Sequence, residues 1–216
     1  MNLLLLAIAP VMVVIVWIYY KDKIEKEPKS FLFKNFIFGA TVSVIITWIL
    51  SAVVNSVYPL LKTNDIFETF LKAFIYVALI EEFAKYVIVR FLAKPNKEFN
   101  EKFDGIVYAV MVSMGFACLE NILYVFEYGV KVGFLRAFTA VPAHATFGVL
   151  MGYFMGQAKF SENRVQKNII GLLIATFFHG AYDFFLFLEF IPNIHIAAIG
   201  ILLIGFFSSK RFINLS

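Results

Sequence analysis

Residues 3–20 read LLLLAIAPVMVVIVWIYY, eighteen positions without a charge, and residues 21–29 read KDKIEKEPK. A run of that length is what a helix needs to cross a hydrocarbon core ~30 Å thick. The apolar residues are continuous rather than alternating, which argues for a helix and against a strand of a membrane barrel. Working outward, the pattern recurs over residues 31–54, 66–92, 105–126, 134–157, 168–190 and 194–207, the last being short and following Pro192-Asn193. The reading is an all-α, polytopic membrane helical bundle of about seven transmembrane helices.

Composition agrees. Of 216 residues 61% are hydrophobic and 16% charged, against about 45–50% and 25% in soluble domains. A water-soluble domain of this size could not hide so much apolar surface. A soluble enzyme, a disordered chain, a disulfide scaffold and a nucleic-acid binder are therefore excluded. The single cysteine, Cys118, rules out an intrachain disulfide and any site needing several thiolates.

The net charge of +4 is a topology device. Lys21, Lys23, Lys26, Lys29, Lys34, Arg90, Lys94, Lys97, Lys102, Lys159, Arg164, Lys167, Lys210 and Arg211 fall on alternate connections or at the end of the chain. The other connections hold Lys62, Lys131 and Arg136, with Lys72 a little deeper, and Lys85 lies inside a span. The positive-inside rule puts the larger group in the cytoplasm, with the N-terminus outside and the C-terminus inside. The first span lacks a basic leader and a small-residue cleavage site, so it reads as a retained anchor rather than a signal peptide. Residues 1–216 read as one transmembrane domain.

Ionisable residues deep in a span are costly and mark polar cavities. Four successive spans carry them. The third has Glu81, Glu82 and Lys85, the fourth Glu120 and Asn121, the fifth His144, and the sixth His179 and Asp183. Lys85 lies three and four residues from the two glutamates, so it can neutralise either along the helix surface. His179 and Asp183 share a face in the same way. Gly148, one turn beyond His144, permits close helix packing. With helices alternating in direction, these groups meet in the outer half of the bilayer.

Fully ionised carboxylates with Lys85 and neutral imidazoles leave the cluster at −3, so it must take up protons or bind a cation. His144, His179 and Glu120 are candidate zinc ligands, with a spare glutamate to deprotonate the bound water. Without metal, a glutamate can activate water directly while the imidazoles stabilise the oxyanion. Either route suits amide hydrolysis. Glu127, Glu189 and His195 fall at span ends and read as interface residues. There is no HExxH, no GxSG, no GxGD to accompany Tyr182-Asp183, and no phosphate-binding loop.

Taken together, Glu81-Glu82-Lys85, Phe116-Glu120-Asn121, His144-Gly148 and His179-Asp183 resemble the motifs of the PrsW family of intramembrane proteases. That family is grouped with the CAAX prenyl endopeptidases and the anterior-pharynx-defective subunit of gamma-secretase. The resemblance covers nearly the whole chain, including Asp104-Gly105 and the basic loop near Lys29. It implies a multi-pass protein of the bacterial cell membrane making the first, extracytoplasmic (site-1) cut in a single-pass anti-sigma factor. That cut leads to sigma-factor release in the envelope stress response. By analogy with the CAAX peptidases Glu81 activates water, and Glu120 stands where their motif has histidine. The resemblance implies a metallopeptidase, with zinc as the candidate cofactor beside a metal-independent glutamate mechanism. The rival readings are a non-catalytic scaffold, in which the same groups hold helices together, and a proton-coupled transporter.

Overall fold

A computed structural model describes residues 2–59 and 65–215. Lys62, counted above among the outer basic residues, lies outside the described residues. The described residues are helical without a strand. Six helices are long and apolar enough to cross a membrane. They are α1 (Leu3–Lys21), α2 (Lys29–Val57), α4 (Phe103–Tyr128), the pair α5 (Val130–Phe138) and α6 (Ala140–Lys159), α7 (Arg164–Phe187) and α8 (Ile196–Leu215). Residues 66–93 form α3, which is helical throughout but carries Glu68, Lys72, Glu81, Glu82, Lys85 and Arg90. Those charges set it apart from the six.

Local chemistry marks the helix ends. The Asn2 side chain accepts the amides of Leu4 and Leu5, and Asp65 accepts that of Glu68, so each supplies acceptors that a first helical turn lacks. Gly129, at φ 81°, ends α4. The expected fifth span, residues 134–157, is in fact two helices spanning Val130–Lys159 with a break at Thr139. Pro142 explains the break, because its ring excludes the carbonyl four residues earlier, that of Phe138, from a continuous helix. The last helix is longer than expected. It runs to Leu215 and takes in Lys210-Arg211, whose long side chains can reach polar surroundings from within a helix.

Helix α4 is the centre of the bundle. In its most apolar window 78% of the residues are buried in protein, against 17% for α1 and α2. Its main partner is α6, and three glycines one turn apart make the approach possible. A Cβ on Gly148 would meet the Ser113 hydroxyl oxygen at 2.8 Å, one on Gly152 the Gly105 carbonyl at 2.4 Å, and one on Gly156 the Lys102 carbonyl at 2.1 Å. In lipid, helix association depends on such backbone-to-backbone packing. Gly152→Val is therefore expected to lower the thermal midpoint of the purified protein, at a cost of about 1–3 kcal/mol or more, since carbonyls cannot move aside as side chains can. Thermal unfolding in detergent measures it.

At the end of the bundle that holds the basic loops, Glu27 is buried between α1 and α2. The Tyr108 hydroxyl donates to it, and the Tyr108 ring packs between Phe31 and Phe99. Burial, then the neighbouring Asp104 carboxylate, pushes Glu27 up to about 9 from an ordinary 4.5. The folded protein thus keeps a proton that the unfolded chain releases near pH 4.5, so this contribution is lost as pH climbs toward 9. Wild type is expected to melt at lower temperature at pH 9 than at pH 6, and Glu27→Gln to flatten that difference. Melting curves at both pH values check it.

Candidate active site

The polar residues of the four spans meet. Helix α3 is α-helical over Ile66–Leu71 and Ile80–Ile88, with π-helical turns over Lys72–Leu79 and Val89–Ala93. Wide turns of this kind re-aim the side chains that follow them and recur at functional sites. Here the first delivers Glu81 and Glu82 to the interior. Lys85 stands at their centre, 1% exposed, with its ammonium 2.7 Å from Glu82 Oε1, 3.4 Å from Glu81 Oε2 and 3.2 Å from His144 Nδ1. It also lies 4.2 Å above the Phe116 ring.

Helix α6 brings His144 one turn from its start, and α4 brings Glu120 to it. His144 Nε2 lies 2.9 Å from Glu120 Oε2. A neutral ring donating from Nε2 to that carboxylate and accepting the Lys85 ammonium at Nδ1 satisfies both nitrogens. Helix α7 supplies His179, whose Nδ1 is 2.9 Å from Glu82 Oε1 and whose Nε2 is 3.3 Å from Asp183 Oδ2 and 4.0 Å from Glu81 Oε2. Both ring nitrogens therefore face carboxylate oxygens, which can only accept when ionised. Phe147 stacks on this ring at 4.8 Å and 16°, and the His144 ring stands perpendicular to it at 5.4 Å.

The two adjacent glutamates occupy different environments. Glu82 has no exposed side-chain surface and is held by Lys85 and His179. Glu81 is 12% exposed and held loosely. Glu120 is 23% exposed and Asp183 12%, so the cluster opens along Glu81, Glu120 and Asp183.

One member was missed in the sequence. Arg136, counted above as a loop charge, reaches in from α5. Its Nη2 is 2.7 Å from Glu120 Oε2 and its Nε 2.9 Å from Asn121 Oδ1. With it the formal charge of the cluster rises from −3 to −2. Asn121 is fully buried, and its amide donates to the Ala7 carbonyl of α1 at 2.8 Å. It faces α1 and Arg136. The sequence signal for Arg136 was its position near the start of the span that carries His144.

Imidazole and carboxylate are the donor types of a catalytic zinc shell. Glu82 Oε2 is buried without a hydrogen-bond partner, so the donor chemistry fits such an ion. Among the described residues no three of these side chains are gathered around one point in the manner of a metal site. Between them stand the chain's own cations, Lys85 and Arg136.

Residues 27–208 match the family described as PrsW family intramembrane metalloprotease. The chain is 38% identical over 187 residues to Protease PrsW of Oceanobacillus iheyensis, a match covering 86% of this chain and 83% of the relative. It is 36% identical over 181 residues to Protease PrsW of Bacillus subtilis, covering 83% and 80%. To Protease PrsW of Clostridioides difficile it is 34% identical over 201 residues, covering 88% and 81%. No solved structure matches the chain significantly. Matched over most of its length and built of apolar helices around a buried polar cluster, the chain belongs to the PrsW family of intramembrane metalloproteases, multi-pass peptidases of the bacterial membrane.

Proposed function

We propose that the chain hydrolyses a peptide bond in a single-pass membrane protein, an anti-sigma factor, from the extracytoplasmic side. This is the first cut of a cascade that frees a sigma factor under envelope stress. The observation that carries the reading is the unbroken series of polar contacts from Asp183 through His179, Glu82, Lys85, His144 and Glu120 to Arg136. Such a series is costly in an apolar bundle unless it serves chemistry. With α3 counted as a seventh span and the fourteen basic residues in the cytoplasm, the N-terminus lies outside and the site falls in the outer half of the bilayer. Residues 1–216 act as one protease domain.

Glu81 is the general base. It is the accessible member of the pair and lies beside the Lys85 ammonium, which holds it in place without enclosing it. It takes a proton from water as the oxygen attacks the scissile carbonyl, and returns it to the leaving amine. Glu82 fixes Lys85 and His179. Asp183 orients the His179 ring, whose loosely held Nε2–H turns from that carboxylate to the developing oxyanion as the carbonyl oxygen enters, while Glu120 fixes the His144 ring. Asn121 acts as a positioning residue through Arg136. A zinc ion held by His144, His179 and Glu120 would supply a polarised water.

The positions of Lys85 and Arg136 favour a second reading, in which the chain's own cations do the neutralising and Glu81 acts without metal. Purified protein in proteoliposomes with a single-pass substrate, assayed with and without chelator and with metal content measured on the same sample, separates the two. Cleavage lost on chelation and restored by zinc supports the zinc shell. Cleavage by metal-free protein supports the glutamate mechanism. Absence of any cut by folded wild-type protein contradicts both.

A further inference from the structure

Arg136 lies on α5, near the start of the fifth span, and belongs to none of the four motifs, yet its side chain has defined partners in the site. Its guanidinium spans two adjacent residues of α4, with Nη2 on the Glu120 carboxylate at 2.7 Å and Nε on the Asn121 amide oxygen at 2.9 Å. Its face lies 4.1 Å from the Tyr124 ring centroid, one turn further along the same helix. Asn121 cannot turn away, because its amide nitrogen donates to Ala7 of α1. Three helices thus fix the orientation of one planar group, and it is 12% exposed, at the rim of the cluster.

The Glu120 oxygen that receives Arg136 is the one that faces His144 Nε2. We infer that Arg136 is a positioning residue for the hydrolysis. It pins Glu120 Oε2 so that this oxygen holds the proton on His144 Nε2 and leaves Nδ1 to accept from Lys85, the ammonium shared with Glu81. A lysine in its place would keep the charge but not the two-point grip, since only a guanidinium presents two donors in a fixed plane. The short helix α5 therefore has a task besides joining two spans: it carries this side chain into the site. The inference rests on the proteolytic reading given above.

The test uses full-length protein in proteoliposomes with the single-pass substrate, comparing wild type, Arg136→Ala, Arg136→Lys and Glu81→Gln. Arg136→Ala is expected to lower kcat per folded molecule by roughly 10–100-fold with KM changed less than about threefold, the size of loss seen when a partner orienting a functional group is removed. Added guanidinium chloride is expected to restore part of that kcat, and sodium chloride at equal ionic strength none of it. Arg136→Lys is expected to fall between the two and to stay insensitive to guanidinium. If Arg136→Ala does not accumulate, the Lys variant carries the test through its kcat. Wild-type kcat in the Arg variants, or a loss confined to the amount of folded protein, overturns the inference while the proteolytic reading stands. Full cleavage by Glu81→Gln would instead remove the reading beneath it.

Discussion

Replacing Glu81 with glutamine is expected to lower turnover by about 10²–10⁴-fold, the usual worth of a positioned general base, while folded protein accumulates as in wild type. The two halves of that expectation have separate causes. The amide keeps the size of the carboxylate and cannot take a proton from water. Stability is spared because Lys85 keeps its shorter contact, to Glu82 at 2.7 Å, when the 3.4 Å contact to Glu81 is lost. A scaffold that used these groups to hold helices together would behave in the opposite way, losing folded protein and leaving no activity to measure. Quantifying cleavage against the amount of monodisperse protein in detergent distinguishes the two.

The second large effect is expected at Lys85. Its ammonium is buried, and it is the cation shared by Glu81, Glu82 and His144. Lys85→Met keeps much of the apolar stem and removes the charge, leaving adjacent carboxylates facing each other in an apolar bundle. Breaking a buried pair from one side costs about 3–5 kcal/mol, a large share of the stability of an ordinary domain. Folded yield and thermal midpoint should both drop, and cleavage should vanish with the group that holds Glu81. Adding Glu82→Gln to Lys85→Met is expected to recover part of the stability, because it removes the stranded charge, and none of the activity. Thermal unfolding of the four members of that cycle measures the coupling directly.

Much of this was legible in the chain because lipid imposes strict rules. Uncharged runs near twenty residues long place helices, and ionisable residues inside them place a site. Spacings of three and four residues put Glu81 or Glu82 beside Lys85 and His179 beside Asp183, and those pairs do touch. What the sequence hid depends on contacts between distant segments. Arg136 looks like any loop charge until α5 folds against α4. The difference between Glu81 and Glu82 depends on helix rotation and on the π-helical turns of α3, for which no residue pattern gave a signal. The break at Thr139 was readable, since Pro142 forbids a continuous helix through Phe138. So was the glycine series at 148, 152 and 156, of which only the first had been given a role. The shared environment of Glu27, Asp104 and Tyr108 joins residues some eighty positions apart, and local periodicity carries no trace of it.

The most direct measurement is the position of the cut. Purified wild-type protein is reconstituted with a single-pass substrate and the products are weighed by mass spectrometry, with Glu81→Gln run beside it. The expected result is one new terminus in the substrate segment lying in the bilayer half away from the basic loops, absent with Glu81→Gln. An equal yield of that product from Glu81→Gln, or a cut in the half beside the basic loops, would contradict a hydrolytic centre built on Glu81, Glu120, His144 and His179.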